Sequence, residues 1–290
     1  MDPRFSALPG ALRSRTVFAK LASGRVPALL AHPSYQWHPT LTELPPSGDP
    51  PDSVGPRPAP LMLWFHGRTV NKELDPGRYL RWLRASLPGG AEPGGIACCA
   101  VDLPGHGERF DPEMQAAERT LDVVARAVDE VDAILEDLAR PEWGGAFDVS
   151  RVGIGGMSAG GMVTLARLCR PHGFHAAAVE ATSGSFAFMV ERGLYDPAKA
   201  AAIEPLKHVQ GWRPLPLLAL HSEADEWVPI ASMRRFLSVL GERYVAGGAN
   251  PGLIRMHTWP STGAPNEHYG FGRVSAEAKS IQTEFLAANL

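Results

Sequence analysis

Residues 152–161, Val-Gly-Ile-Gly-Gly-Met-Ser-Ala-Gly-Gly, constrain this chain more than any other stretch. An apolar run at 152–154 reads as a short buried strand, and the segment 161–170 reads as a helix. Between them Gly156-Met157-Ser158-Ala159-Gly160 fits G-x-S-x-G, a sharp strand-to-helix turn that lifts a serine hydroxyl clear of a sheet. The reason is steric. The serine backbone is strained, and a side chain two residues to either side would collide where strand and helix converge. The motif alone is weak, so context decides. A rival reading takes Gly153-Ile154-Gly155 as the opening of a dinucleotide-binding loop, with Glu180 about where a ribose-binding acid would stand. The third glycine of that pattern would fall on Ser158, which breaks it.

The flanking pattern supplies the context. Residues 16–22 and 25–32 read as two strands joined by Ser23-Gly24. A continuous apolar run at 61–65 reads as a strand buried on both faces, 96–101 reads as the next buried strand, and 175–179, 215–220 and 253–257 read as further strands. Helices are expected at 76–87, 113–140, 230–240 and 274–286. In the longest, Leu121, Val124, Val128, Val131, Leu135 and Leu138 step by three and four, an apolar stripe facing a core. Strands alternating with helices give an α/β fold with a mostly parallel sheet wrapped on both faces. Within a single domain, residues 1–12 read as a loose tail. Residues 44–60, with seven prolines, read as a surface loop. The aromatic- and Gly/Pro-bearing 182–213 reads as a small insertion over the sheet's C-terminal edge.

Composition narrows the partners. Among 290 residues, 44% are hydrophobic and 20% charged, with a formal net charge of -3 and no basic stripe. No nucleic-acid partner is therefore expected. Cys98, Cys99 and Cys169 make no disulfide framework, and Cys98 and Cys99 read as inert strand residues. No apolar run is long enough for a signal peptide or a membrane span, so the expected location is the cytoplasm, with no membrane partner. The pair His172 and His175 has no nearby carboxylate and no H-E-x-x-H occurs, so no metal is expected.

If Ser158 is a nucleophile it needs a base, and the base an orienting acid, downstream in that fold's order of Ser, Asp, His. Asp225 lies in the loop after the 215–220 strand, within His221-Ser222-Glu223-Ala224-Asp225-Glu226-Trp227-Val228-Pro229. His268 follows the last strand, within Pro265-Asn266-Glu267-His268-Tyr269-Gly270-Phe271. Glu223 and Glu226 compete with Asp225 but read as solvated loop charges. His257 competes with His268 but lies within a strand.

Taken together these segments resemble a bacterial serine esterase of the α/β-hydrolase superfamily, near dienelactone hydrolase and the prolyl-oligopeptidase catalytic domain. The Asp225 loop is similar to H-G-x-x-D-x-x-V-P, with Ser222 in place of the glycine. Residues 65–73, beginning Phe65-His66-Gly67-Arg68, resemble that family's H-G loop, and Asp102-Leu103-Pro104-Gly105-His106-Gly107 its D-x-P/R-G-H-G turn. The likeness spans roughly 61–271. It implies that Ser158 attacks an acyl carbonyl, His268 shuttles the proton and Asp225 fixes the imidazole. It further implies that the backbone N–H groups of Ala159 and Arg68 bind the oxyanion. His66 and His106 are then structural, and His221 braces the Asp225 loop. The resemblance implies a small-molecule ester substrate and no cofactor; a thioesterase or peptidase on the same triad, or a non-catalytic binding protein on this fold, are the alternatives. The oligomeric state is open.

Overall fold

A computed structural model describes residues 8–42, 58–88 and 94–290, without the side chains at 191 and 192. Eight strands form one sheet: β1 Thr16–Leu21, β2 Val26–Ala31, β3 Ala59–Phe65, β4 Ala97–Val101, β5 Phe147–Met157, β6 Ala176–Glu180, β7 Leu217–Ser222 and β8 Ile254–Trp259. Their spatial order is β1-β2-β4-β3-β5-β6-β7-β8. The β1–β2 and β2–β4 pairs are antiparallel and the pairs from β4 through β8 are parallel. The expected mostly parallel sheet is present.

Alternation explains the continuous apolar runs. Leu61, Leu63 and Phe65 enter one core, and Met62 and Trp64 the other. A strand between two helical layers has no wet face, so both phases of its period must be apolar. One layer holds α3 (Thr120–Leu138), α4 (Ala159–Leu168) and α7 (Ile230–Ala246). Opposite lie α2 (Pro76–Leu83) and α8 (Ser275–Asn289), with Trp82 and Phe285 buried.

Three segments depart from expectation: 8–12, Pro60 and 113–119. Residues 1–7 and 43–57, most of the expected tail and proline-rich loop, lie outside the described residues. Residues 8–12 are not loose: α1 (Gly10–Arg13) buries Leu12, and Leu8 is buried beside it. Pro60, assigned to the loop, sits inside β3, at the register shift between Pro60 and Leu61. A bulge tolerates the missing N–H that a regular ladder would require. The long helix begins at Thr120 and not at 113, because Ala116 is extended (φ −62°, ψ 144°) and 113–119 form two 3-10 turns. There Met114 packs against Gly105, where a Cβ would overlap it, and that contact overrides helix propensity. Residues 182–213 hold a 3-10 segment (Phe186–Arg192), α5 (Pro197–Ile203) and α6 (Pro205–His208). Trp212 ties this insertion to α7, its Nε1 donating to the Tyr244 hydroxyl at 3.0 Å.

A charged cluster lies where β6 meets α2. Glu180, fully buried, accepts from Arg78 Nη2 at 2.8 Å and Gln282 Nε2 at 2.8 Å, and Arg78 stacks 4.6 Å over the Trp64 ring. Burial pushes the Glu180 carboxyl up, against the pull of Arg78. This occupied carboxylate is a structural partner, which removes it as a ribose ligand. Replacing one member of such a pair strands the other charge, so Arg78→Met is expected to lower unfolding free energy by about 3–5 kcal/mol. Adding Glu180→Leu should restore much of that loss. Urea denaturation of both variants measures it.

Candidate active site

β5 ends at Met157 and α4 begins at Ala159, so Ser158 alone turns the chain, at φ 54° and ψ −117°. Left-handed backbone at a non-glycine residue costs on the order of 1–3 kcal/mol and needs support. That support is visible. Ser158 N–H donates to Glu180 O at 2.9 Å, and its carbonyl accepts from Met162 N–H at 3.0 Å and the Thr182 hydroxyl at 2.7 Å. A Cβ on Gly156 would strike the Gly160 backbone, and one on Gly160 would strike the Phe65 and His66 carbonyls. Both glycines are there because β3, β5 and α4 pass too closely for any side chain.

Three residues far apart in sequence meet above the sheet. His268 Nε2 lies 2.9 Å from Ser158 Oγ, and His268 Nδ1 lies 2.8 Å from Asp225 Oδ2. Asp225 keeps its other oxygen on the N–H groups of Trp227 (2.8 Å) and Val228 (2.7 Å). An ionised carboxylate can only accept, so Nδ1 carries the proton and Nε2 is left to accept from the serine. His268 and Asp225 are both buried, which strengthens their attraction over what water would allow.

The rivals are placed elsewhere. Glu223 accepts from Arg234 and the Thr258 hydroxyl on the surface, and Glu226 accepts from the Asn266 amide. His257 packs tilted against Trp259, with ring centroids 4.4 Å apart. His221 is buried, with Nε2 2.9 Å from Val228 O and 3.5 Å from Asp225 Oδ2, underneath the acid's loop. His172 Nδ1 accepts from Phe174 N–H. Among the described residues no three His, Cys, Asp or Glu side chains could hold a metal, and no helix is long and apolar enough to cross a membrane.

The H-G loop after β3 runs beside the serine, with the position of a Gly67 Cβ only 3.5 Å from Ser158 Cβ. His66 and Lys72 hold this loop. His66 Nδ1 donates to Gly67 O at 2.6 Å, while its Nε2 accepts from Leu103 N–H at 3.0 Å. Lys72, fully buried, gives its N–H and its ammonium to the two Asp102 oxygens at 3.0 and 2.8 Å, and its ammonium also to Glu108. Arg68 and Ala159 both border a cavity of about 340 Å³ in front of Ser158. Ala159 N–H opens α4, where a helix leaves its first amides unpaired. The Arg68 guanidinium donates to Gln115 O at 2.7 Å.

Val70, Leu74, Met162, Leu194, Trp227 and Tyr269 supply the cavity's apolar wall. Leu194 is the contribution of the 182–213 insertion. Its Phe186 and Trp212 are buried in the core instead, and Phe188 is exposed. At one end Lys279 and Asp75 pair at 2.8 Å, and Asp75 also accepts from Arg78.

Glu267 carried no expectation from sequence, yet its carboxylate is the most heavily bonded near the site. It accepts from the hydroxyls of Ser222 and Ser261 (2.7 Å each) and Thr262 (2.8 Å), and from the N–H groups of Thr262 (2.6 Å) and Gly263 (2.8 Å). The one signal for it was Ser222 standing where the similar motif has glycine.

A strained serine at the C-terminal end of a central strand, on a mostly parallel sheet covered by helices on both faces, is the architecture of an α/β-hydrolase, and the chain is a serine hydrolase. It belongs to the prolyl oligopeptidase family, whose model matches residues 95–285. Among solved structures it is similar to TT1662 from Thermus thermophilus, at 23% identity over 94% of this chain and 98% of that one, with a TM-score of 0.60. The acylaminoacyl peptidase of Pyrococcus horikoshii matches at 17% identity and TM-score 0.66, over 99% of this chain but 43% of that one. Esterase 2 of Thermogutta terrifontis matches at 15% identity and TM-score 0.59, over 96% and 95% of the two chains. Among curated proteins no match was found.

Burial dictates how the site's surroundings respond to acid. Burial lowers the His66 pKa from 6.5 to about 4. Between those values the unfolded chain takes up a proton that the folded protein refuses, so stability is full above pH 6.5 and falls as pH drops toward 4. The slope reaches at most about 1.4 kcal/mol per pH unit for one such group. Urea midpoints measured from pH 7 to 4.5 should fall, and should fall less in His66→Gln.

Proposed function

We propose that the protein cleaves carboxylic esters of small molecules through an acyl-enzyme, with Ser158, His268 and Asp225 as a catalytic triad. The observation that carries this reading is the bridging imidazole, 2.9 Å from the serine hydroxyl and 2.8 Å from the carboxylate. His268 Nε2 takes the proton as Ser158 Oγ bonds to the acyl carbon. The carbonyl electrons move to its oxygen, which receives hydrogen bonds from the N–H groups of Ala159 and Arg68. When they return, the alkoxide leaves with the proton from His268, and a water activated by the same nitrogen releases the acid. Asp225 stays ionised and steadies the imidazolium. Each step uses side chains and backbone alone, so no cofactor is called on.

Two features favour an ester over a peptide. The cavity's apolar wall suits a hydrocarbon acyl or alkyl group. The charges at its end, Asp75, Arg78 and Lys279, are bonded to one another and to Glu180, which leaves them ill-suited to anchoring a peptide terminus. Thioesters and peptides would use the same triad, and the family and its solved relatives include peptidases.

Short-chain p-nitrophenyl esters should be hydrolysed, with Ser158→Ala abolishing turnover. Asp225→Asn should slow it about 10⁴-fold, because the imidazole loses its useful tautomer. Near-full activity in Asp225→Asn would move the acid's role elsewhere, and faster cleavage of peptide p-nitroanilides would make the protein a peptidase.

A further inference from the structure

We propose that Glu267 is a positioning residue for the reaction, a strut that fixes the His268 loop onto the Asp225 loop through Ser222. The proposal rests on the triad reading above. Its evidence is the backbone on the N-terminal side of His268, where Asn266 and Glu267 are consecutive non-glycine residues at φ 52° each. Two adjacent left-handed non-glycine residues are unfavourable, so the surroundings must impose the conformation. The Glu267 carboxylate does so with its five hydrogen bonds, four of them to residues 261–263 at the start of its own loop.

The fifth bond crosses to another element. Ser222 is the last residue of β7, three before Asp225, and its hydroxyl reaches Glu267 at 2.7 Å. A second pair of contacts runs alongside it: Glu226 N–H donates to Asn266 O at 3.2 Å, and the Asn266 amide donates to Glu226 at 3.0 Å. The loop bearing the base is thereby joined to the loop bearing the acid at residues before and after Asp225, next to the 2.8 Å contact between His268 and Asp225. A glycine at 222, as in the similar motif, would have no hydroxyl to give. Although burial opposes it, the Thr262 N–H and the three hydroxyls hold the Glu267 carboxyl well below the usual range. The strut therefore remains an acceptor wherever the triad can work.

The reaction tolerates little misplacement of its base, since a shift of about 1 Å can cost about 100-fold in rate. Glu267→Gln, Glu267→Ala and Ser222→Gly test the strut with a p-nitrophenyl ester, with kcat expressed per Ser158 site titrated to completion by a fluorophosphonate. Expressed per titrated site, kcat is blind to a mere loss of folded protein. Glu267→Ala should lower kcat about 10–100-fold with KM within about twofold, and Glu267→Gln should lower it less, since one oxygen still accepts. Ser222→Gly, which removes one bond of five, should lower it about 3–10-fold.

Unchanged kcat in Glu267→Gln and Ser222→Gly, or a rise in KM alone, would overturn the proposal even if Glu267→Ala failed to fold. Those results alongside an active wild type leave the hydrolase reading intact. A wild type inert toward every ester overturns that reading, and the strut's catalytic purpose with it.

Discussion

Ser158 stands above the sheet because three backbones pass one another without room for a side chain. β3, β5 and the start of α4 converge at Gly156 and Gly160, and between them the serine is held at φ 54°. The hydrogen bonds to Glu180, Met162 and Thr182 are what make the strained form the stable one, and the remainder of the site is arranged about the point it creates.

The loops that meet there all leave C-terminal ends of parallel strands. β3 delivers the H-G loop, β5 the serine, β7 Asp225 and β8 His268. A parallel sheet necessarily collects such ends on one edge, and helices on both faces keep the strands dry and fixed. The H-G, acid and base loops are each fastened by polar groups: Lys72 to Asp102, Asp225 to two backbone amides, and Glu267 to Ser222. Fixing groups in advance is what lets hydrogen bonds act on a developing charge without reorganisation. The arrangement also explains why the charged cluster at Glu180 and Arg78 matters beyond stability, since Glu180 supplies the carbonyl that holds Ser158 N–H.

Much of this was legible in the chain. Apolar runs of strand length between helical stripes fixed the layered sheet, because burial on both faces leaves no polar phase. The spacing of Ser158, Asp225 and His268 relative to those strands placed all three in loops at one edge. What escaped was decided by tertiary contact. Residues 113–119 favour helix by composition but have no apolar stripe, and Met114 under Gly105 set their path. Pro60 reads as loop until a bulge admits it to β3. Glu267 resembles any loop acid until five donors converge on it. Nothing in composition marks those donors, because four come from a turn and one from a neighbouring strand.

The claim on which everything above depends is that the hydroxyl of Ser158 is the group activated by this bridge. It is tested most directly by treating the protein with a fluorophosphonate and locating the adduct by peptide mass spectrometry. A phosphorus electrophile is an apt probe because it bonds to a serine hydroxyl that a neighbouring base has activated. The account predicts one adduct, on the peptide bearing Ser158, with none in His268→Ala over the same interval. An adduct on another residue, or equal labelling without the imidazole, would contradict it.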